Sequence, residues 1–340
     1  MAKLFRKGRF NFFAGKGLGQ YLLYIAIEMV LVIAGILIAL NINNLNERSK
    51  EEAKAQLILK ELQRDMLVNF KDLEEHIENL ELIDSLIVRV LTKQVTWQDY
   101  LANPRYSSLV VSYNNISFKE NAFKNLERYL DYFGPEYDSL LPQLESLYHD
   151  DLSAIKDMEK HISDYSIRTI EKWSEDFVWF RYLGTPQMPE EAQAYFLESP
   201  YYLNSVHTYR TYSTQNLLRM LRRLQVKIAQ AYLSVDAYLE KEEPAMDSFR
   251  SFYQKPEAQQ LKSWRGDFIL GEANSFSIKA DGSEQLKIIL PGKIELGLYL
   301  RNDSTLYCPD QNFEIRRNTK GEVFLLMAEQ RMQLRSEEGS

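Results

Sequence analysis

The chain of 340 residues is longer than one average domain, and its 45 % hydrophobic and 26 % charged residues are typical of a folded globular protein. A net charge of −7 argues against nucleic acid as a partner, because phosphate binding needs a basic surface. A single cysteine excludes an intramolecular disulfide and a zinc site built from several cysteines.

Residues 21–42 are predicted to form a transmembrane helix. Tyr21 to Leu40 contain one charged residue, Glu28, and at about 1.5 Å per residue they span about 30 Å, the thickness of a bilayer core. The alternatives are a buried helix of a soluble protein and a cleaved signal peptide. The length of the apolar run and its interruption by Glu28 argue against both.

The residues that flank this segment predict its orientation. The lead-in at 1–20 is basic and aromatic and has no acidic residue, whereas acidic and basic residues are mixed after the segment. The positive-inside rule therefore predicts a cytoplasmic N-terminus in the inner (plasma) membrane, with the rest of the chain in the periplasm.

The transmembrane segment carries a polar and small-residue face. Glu28, Gly35 and Ala39 share this face, and a small-x-x-x-small pair lets a second helix approach closely. A carboxylate in hydrocarbon costs on the order of 2 kcal/mol or more. Glu28 is therefore predicted to be hydrogen-bonded in an assembly, as a homo-oligomer or with another integral membrane protein. The alternatives are that Glu28 reaches the membrane interface without a role, or titrates in a proton-coupled complex.

The region 47–243 is predicted to be a long antiparallel helical bundle, because long helices joined by short loops pack in this way. Apolar residues recur at helical spacing over Glu47–Leu91, Pro135–Phe180 and Leu203–Glu242. A shorter helix over Phe118–Phe133 and a β-like stretch at Ser107–Tyr113 lie between the first two.

Residues 258–335 are predicted to form a small antiparallel β-domain, an open sheet or half-barrel of about seven strands. Short alternating runs from Asp267 to Met327 are separated by turns such as Asp281-Gly282 and Lys320-Gly321. The predicted fold class is therefore mainly α: an N-terminal transmembrane helix, the bundle and this small C-terminal β-domain.

Two segments resemble known families. The run Tyr21–Glu47 resembles the opening of a family of Bacteroidota single-span membrane proteins, whose members share a GILIALxINNxNE signature and have no assigned activity; here Gly35–Glu47 reads GILIALNINNLNE. This resemblance implies the membrane topology. The region 258–335 resembles the small β-domain appended to some serine β-lactamase-like hydrolases, in Trp264–Phe268 and in Leu290-Pro291, which implies an accessory role.

No catalytic or metal-binding set is evident, so we predict a protein without enzymatic activity, metal or cofactor. Ser153 and Lys156 fit the S-x-x-K nucleophile motif, but no K-T-G follows and their neighbours are those of a helix core. The four histidines are scattered, and two on one helix, His149 and His161, lie about 18 Å apart.

Aromatic and cationic residues mark one possible ligand or partner surface. They crowd the end of the second long helix and the start of the third, which meet if the two helices are antiparallel neighbours. An aromatic pocket of this kind would suit a sugar, a peptide or a carboxylate. The alternative is that these residues close the bundle core. The residues are Trp173, Trp179, Arg181, Tyr201, Tyr202, His207 and Arg210.

The favoured function is a membrane-anchored periplasmic scaffolding or partner-binding protein that assembles through its transmembrane helix, with the bilayer as its environment. The alternatives are an ion- or proton-coupled component that uses Glu28, and a periplasmic small-ligand-binding module.

Overall fold

The computed structural model describes residues 18–185, 187–239, 249, 252–254, 256–271, 274–282, 285–327 and 330–336. The chain divides into two compact units, Met1–Leu57 with Asp131–Phe133, and Ile58–Leu130 with Gly134–Ser340. Most of the predicted lead-in and the predicted end of the bundle at 243 lie outside the described residues.

Helices dominate the chain before residue 240. They are α1 (Leu18–Leu91), α2 (Trp97–Ala102), α3 (Asn121–Arg128), α4 (Leu141–Glu145), α5 (Leu152–Asp176), α6 (Glu190–Glu198), α7 (Pro200–Arg210), α8 (Leu218–Asp236) and α9 (Ala258–Trp264). Wider π-helical turns, Ser146–Asp151 and Thr211–Leu217, join α4 to α5 and α7 to α8 without a break. Short 3-10 turns form at Leu130–Tyr132, Pro135–Tyr137 and Val178–Tyr182.

Helix α1 continues without interruption through residues 41–46, the polar run between the apolar segment and the amphipathic one. No glycine or proline occurs between Ile36 and Leu91 to stop it. The amide of Asn43 donates to the Glu47 carboxylate one turn later, at 3.1 Å, so this side chain does not compete for backbone hydrogen bonds. From Leu22 to Ala53 every side chain except that of Ala34 is exposed.

The second unit contains three long helical stretches, and their directions differ from the predicted antiparallel bundle. Asp84 of α1 pairs with Arg210, and Gln63 pairs with Asp236, so α1 and the α7–α8 stretch are antiparallel. Helix α5 is also antiparallel to α7–α8, because Asp151 lies by Lys227 while Trp173 lies by Tyr202. Helices α1 and α5 therefore run parallel, and the chain must return between them.

Residues 103–120 make this return, and they contain no strand at Ser107–Tyr113, where one was predicted. Side chains of the helices replace a sheet partner for this backbone. The Asn69 amide bonds both the N–H and the C=O of Lys119, at 2.7 and 2.9 Å. Glu159 accepts the Ile116 N–H at 2.8 Å, and the Tyr209 hydroxyl donates to the Ser112 carbonyl at 2.6 Å. The β-branched and apolar residues of this stretch, such as Leu109 and Val110, are buried without forming a strand, so the prediction of a β-like stretch was wrong.

The C-terminal region corrects the predicted fold class, because it is a closed eight-stranded antiparallel barrel and not a small open β-domain. Each strand pairs with the next, and β8 returns to pair with β1, for example at Leu334 and Leu270. Closure leaves no unpaired strand edge. The strands are β1 (Gly266–Leu270), β2 (Asn274–Asp281), β3 (Gln285–Leu290), β4 (Ile294–Asn302), β5 (Thr305–Cys308), β6 (Phe313–Arg317), β7 (Val323–Met327) and β8 (Gln330–Ser336).

Side chains fill the barrel interior. Alternate residues of the strands point inward, such as Ile278, Ile288 and Leu298, and Leu261 and Trp264 of α9 join the same buried cluster. Trp264 is fully buried, and the guanidinium carbon of Arg317 lies 4.3 Å from its ring centroid. Helix α9 therefore packs into the barrel core, and the fold resembles a filled small barrel more than a ligand-holding one.

The barrel contacts α8 just after β5, a strand whose four residues are all buried. Arg223 of α8 forms an ion pair with Asp310, whose side chain is only 3 % exposed. Nearby, Arg301 lies 3.9 Å from the ring centroid of Tyr307. A charged group this buried is stable only with a partner, so the Arg223–Asp310 pair fixes the barrel on α8.

Candidate functional site

A groove opens between α5 and α7, which we call the α5–α7 groove. Its volume is about 420 Å³, within the range of about 300–1,000 Å³ common for ligand sites. Its lining combines aromatic rings, hydroxyls, an amide and two cations: Tyr165, Arg168, Thr169, Lys172, Trp173, Tyr195, Tyr201, Asn204, Ser205 and Thr208.

The cations are Arg168 and Lys172, which are exposed and one helical turn apart on α5. No carboxylate of the described residues lies within 4 Å of either one. Like charges four residues apart weaken a helix by roughly 0.2–0.5 kcal/mol. Arg168 and Lys172 therefore offer two cationic groups to an anion in the groove, while the carboxylate of Asp176 lies near enough to act on Tyr195.

The hydroxyls of the groove are oriented by the helices. Thr169 donates to the Tyr165 carbonyl at 2.9 Å, and Ser205 donates to the Tyr201 carbonyl at 3.0 Å. Each hydroxyl oxygen keeps lone pairs that can accept a further hydrogen bond. Asn204, on the same face of α7, offers both a donor and an acceptor. The groove can therefore both donate to and accept from a polar ligand.

The aromatic side of the groove belongs to a packed cluster. Trp173 is 2 % exposed, and its Nε1 donates to the Tyr195 hydroxyl at 2.8 Å. Its ring centroid lies 5.7 Å from that of Trp179 and 6.3 Å from that of Tyr202. Burial raises the pKa of Tyr195 above its ordinary value. Tyr201 differs from these rings because it is 77 % exposed. The groove therefore has packed aromatic rings along its floor and one exposed ring at its edge.

The structure brings together only part of the surface predicted from sequence. Trp173 and Tyr201 line the groove, whereas Trp179 and Tyr202 are buried in the aromatic cluster. The Tyr202 hydroxyl donates to the Tyr106 carbonyl at 3.0 Å, so it has a structural partner. Many of the aromatic residues in this region therefore pack together to close the end of the helical bundle.

The remaining three predicted residues lie away from the groove. Nε and Nη2 of Arg210 donate to the Asp84 carboxylate, at 2.9 and 3.2 Å, and Thr214 donates to the same carboxylate at 2.5 Å. Arg181 is exposed, with its guanidinium carbon 4.8 Å from the Tyr182 ring centroid. His207 is exposed and lies outside the lining of the groove.

Most of the polar residues that line the groove were not predicted from the sequence, although their helical spacing could have indicated them. Tyr165, Thr169 and Trp173 recur every four residues, and Tyr201, Ser205 and Thr208 follow the same helical period. Each set forms one face of its helix, so two polar-aromatic faces on neighbouring helices could have been recognised together.

A smaller cavity of about 90 Å³ lies between α1 and α5. Its lining mixes apolar side chains with polar ones, which include His76, Asn79, Asn114 and Glu159, and Glu159 is 5 % exposed. Burial raises the pKa of Glu159 above its ordinary value. The hydrogen bond from the Ile116 N–H and the charges of His76 and Lys156 act in the opposite direction, but burial has the larger effect. Since Glu159 holds the return segment, its first role is structural.

Ser153 and Lys156 line another shallow pocket, beside α3. Both are exposed, and the Lys156 ammonium forms an ion pair with Glu120, which also binds Lys124 at 3.3 Å. These contacts link α5 to α3 and give Lys156 a structural partner.

Glu28, Gly35 and Ala39 lie in the exposed part of α1. A Cβ atom added at Gly35 would meet nothing within 4 Å. Among the described residues one helix is long and apolar enough to cross a membrane, α1, whose most apolar window has a mean hydropathy of 2.7 and contains no buried residue.

The described part of the chain has no group of three or more His, Cys, Asp or Glu side chains placed to hold a metal ion. Comparisons of the chain with models of protein families, with curated proteins and with solved structures found no match.

Proposed function

We propose that this protein is a single-span, non-enzymatic membrane protein that assembles through its transmembrane helix and presents its helical domain as a scaffolding or binding module. The observation that carries the proposal is the exposure of α1 from Leu22 to Ala53, where the described part of the chain buries no side chain of the apolar segment. Apolar surface of this extent is unfavourable in water and favourable in the hydrocarbon of a bilayer.

The charges that flank the segment support one orientation. Five Lys or Arg and no acidic residue precede it, while Glu47, Glu51 and Glu52 follow. This asymmetry supports a cytoplasmic N-terminus in a bacterial cell, with the helical domain and barrel in the periplasm.

We infer that the occupant of the Glu28 face is a second copy of the same helix. Gly35 and Ala39 lie within about 20° of Glu28 around the helix, at about 100° per residue. Small residues let two backbones approach, and the identical faces of a two-fold pair are self-complementary. A parallel pair would also bring the two Glu28 carboxyl groups to the same depth in the membrane. Each carboxyl group could then form a hydrogen bond across the helix pair.

Assembly is tested by a matched pair of substitutions. Ala39→Leu adds a bulky side chain to the Glu28 face, and Ala26→Leu makes the same change about 160° away from Glu28. We expect crosslinking and native mass analysis in detergent to show oligomers for the wild type and for Ala26→Leu, and monomers for Ala39→Leu. Monomers for all three, or equal loss in both variants, would contradict assembly through this face.

A third variant separates assembly from ion coupling. Glu28→Gln keeps hydrogen-bonding capacity but cannot titrate. We expect it to assemble as the wild type does. If it assembles but abolishes a proton flux that the wild type supports in vesicles, the ion-coupled alternative is the correct function.

A further inference from the structure

We propose that the α5–α7 groove binds an acidic saccharide, a sugar chain that carries carboxylate groups. This inference deepens the proposed function by naming a ligand class for the helical domain. Binding by the purified protein does not depend on how the transmembrane helix assembles, so the two proposals can fail separately.

The charge of the groove selects an anion. Arg168 and Lys172 stand one turn apart and make no ion pair within 4 Å among the described residues, in a chain of net charge −7. A guanidinium binds a carboxylate through two parallel hydrogen bonds, and a neighbouring ammonium adds a third donor. Because neither cation is held in an ion pair among the described residues, both are available to bind the carboxylate of a ligand.

The walls of the groove argue against a peptide. Both walls are helices and offer no strand edge with which an extended peptide could pair. Recognition must instead come from side chains. Thr169, Asn204 and Ser205 provide acceptors and donors at intervals along the groove, which matches the closely spaced hydroxyls of a sugar.

Tyr201 provides the remaining element. Its ring is 77 % exposed at the edge of the groove, although most of the neighbouring rings are buried. An exposed aromatic face with a polar hydroxyl can stack on the apolar C–H face of a sugar ring while its edge stays in water. Because the groove is open, a chain that runs through it fits better than a small apolar molecule, which a pocket would enclose.

The test uses full-length protein in nanodiscs and isothermal titration with a short oligomer of galacturonic acid. A galactose oligomer of the same length removes the carboxylates, and inorganic phosphate tests for a bare anion site. We expect the acidic oligomer to bind more tightly than either, with an affinity that falls as salt is added. No binding of the acidic oligomer, or equal binding of the galactose oligomer or of phosphate, would overturn the proposal.

Variants localise the site. We expect Arg168→Gln with Lys172→Gln to weaken binding by about tenfold to a hundredfold, and Tyr201→Ser by about threefold to tenfold. Arg181→Gln removes an exposed cation outside the groove and should leave affinity unchanged. All of these residues are exposed, so the variants should fold. If Arg181→Gln weakens binding as much as the groove variants do, the attraction is general charge and the proposal is wrong.

Discussion

Trp264→Ala is expected to lower the free energy of unfolding of the barrel by about 3–5 kcal/mol. The Trp264 side chain is fully buried among the inward residues of the strands, and its removal leaves a cavity that α9 and the strands cannot close. Cys308 is a convenient reporter, because it is fully buried in β5 and its burial raises the thiol pKa to about 11. We expect maleimide to label Cys308 about a hundredfold faster or more in this variant, since each 1.4 kcal/mol is a factor of about ten.

Trp264→Phe is the matched control. The Trp264 Nε1 has no hydrogen-bond partner in the described part of the chain, so phenylalanine removes volume but no bond. Labelling of Cys308 should rise far less in this control than in Trp264→Ala, because phenylalanine keeps most of the buried ring volume. Equal labelling rates for the wild type and Trp264→Ala would show that α9 does not hold the barrel closed.

Glu159→Leu is expected to destabilise the helical domain by about 1–3 kcal/mol, while Glu159→Gln is not. The carboxylate is 5 % exposed and accepts the Ile116 N–H at 2.8 Å. Leucine leaves that buried N–H without an acceptor, whereas the glutamine carbonyl can replace it. Urea unfolding of the two variants beside the wild type measures the difference.

The dependence on pH gives a second measurement at the same position. Burial raises the pKa of Glu159, so the folded protein holds this proton more tightly than the unfolded chain. The stabilisation from this group is therefore complete below its unfolded pKa of about 4.3 and is lost as pH rises through the raised folded value. Relative to Glu159→Gln, the wild type should lose stability from about pH 4 upward. A constant difference between the two proteins at every pH would contradict a raised pKa.

The number of strands shows where local pattern is insufficient. The seven predicted runs from Asp267 to Met327 correspond to β1 to β7, with bounds that differ by a few residues. In β8 only Met332 and Leu334 are apolar, so its own pattern is weak. Its place is determined by pairing with both β7 and β1, which removes two open edges at once. The closed barrel is thus a tertiary property that periodicity could not predict.

The directions of the helices and the position of the groove also could not be predicted from the local hydrophobic pattern of the sequence. Apolar spacing predicted the inward residues of the long helices, such as Leu62 and Ile155, which are buried. The parallel arrangement of α1 and α5 depends on side chains such as Asn69 that hold the return segment. Arg210 was predicted to bind a ligand, but it pairs with Asp84. Because Asp84 is distant in sequence, local pattern could not reveal this partner. In the sequence, nothing distinguishes Arg168 and Lys172 from other exposed cations of a helix. Only the packing of α7 beside α5 makes them part of a groove.

Placement of the helical domain across the membrane is tested most directly by cysteine labelling in spheroplasts. Ser174→Cys puts a thiol on the exposed face of α5, and Ala14→Cys puts one in the basic lead-in, while buried Cys308 stays silent. A membrane-impermeant maleimide should label Ser174→Cys in intact spheroplasts and Ala14→Cys only after permeabilisation. The protein should also remain in the membrane after an alkaline carbonate wash. Protection of Ser174→Cys until permeabilisation, or release by carbonate, would contradict a periplasmic domain on a transmembrane anchor.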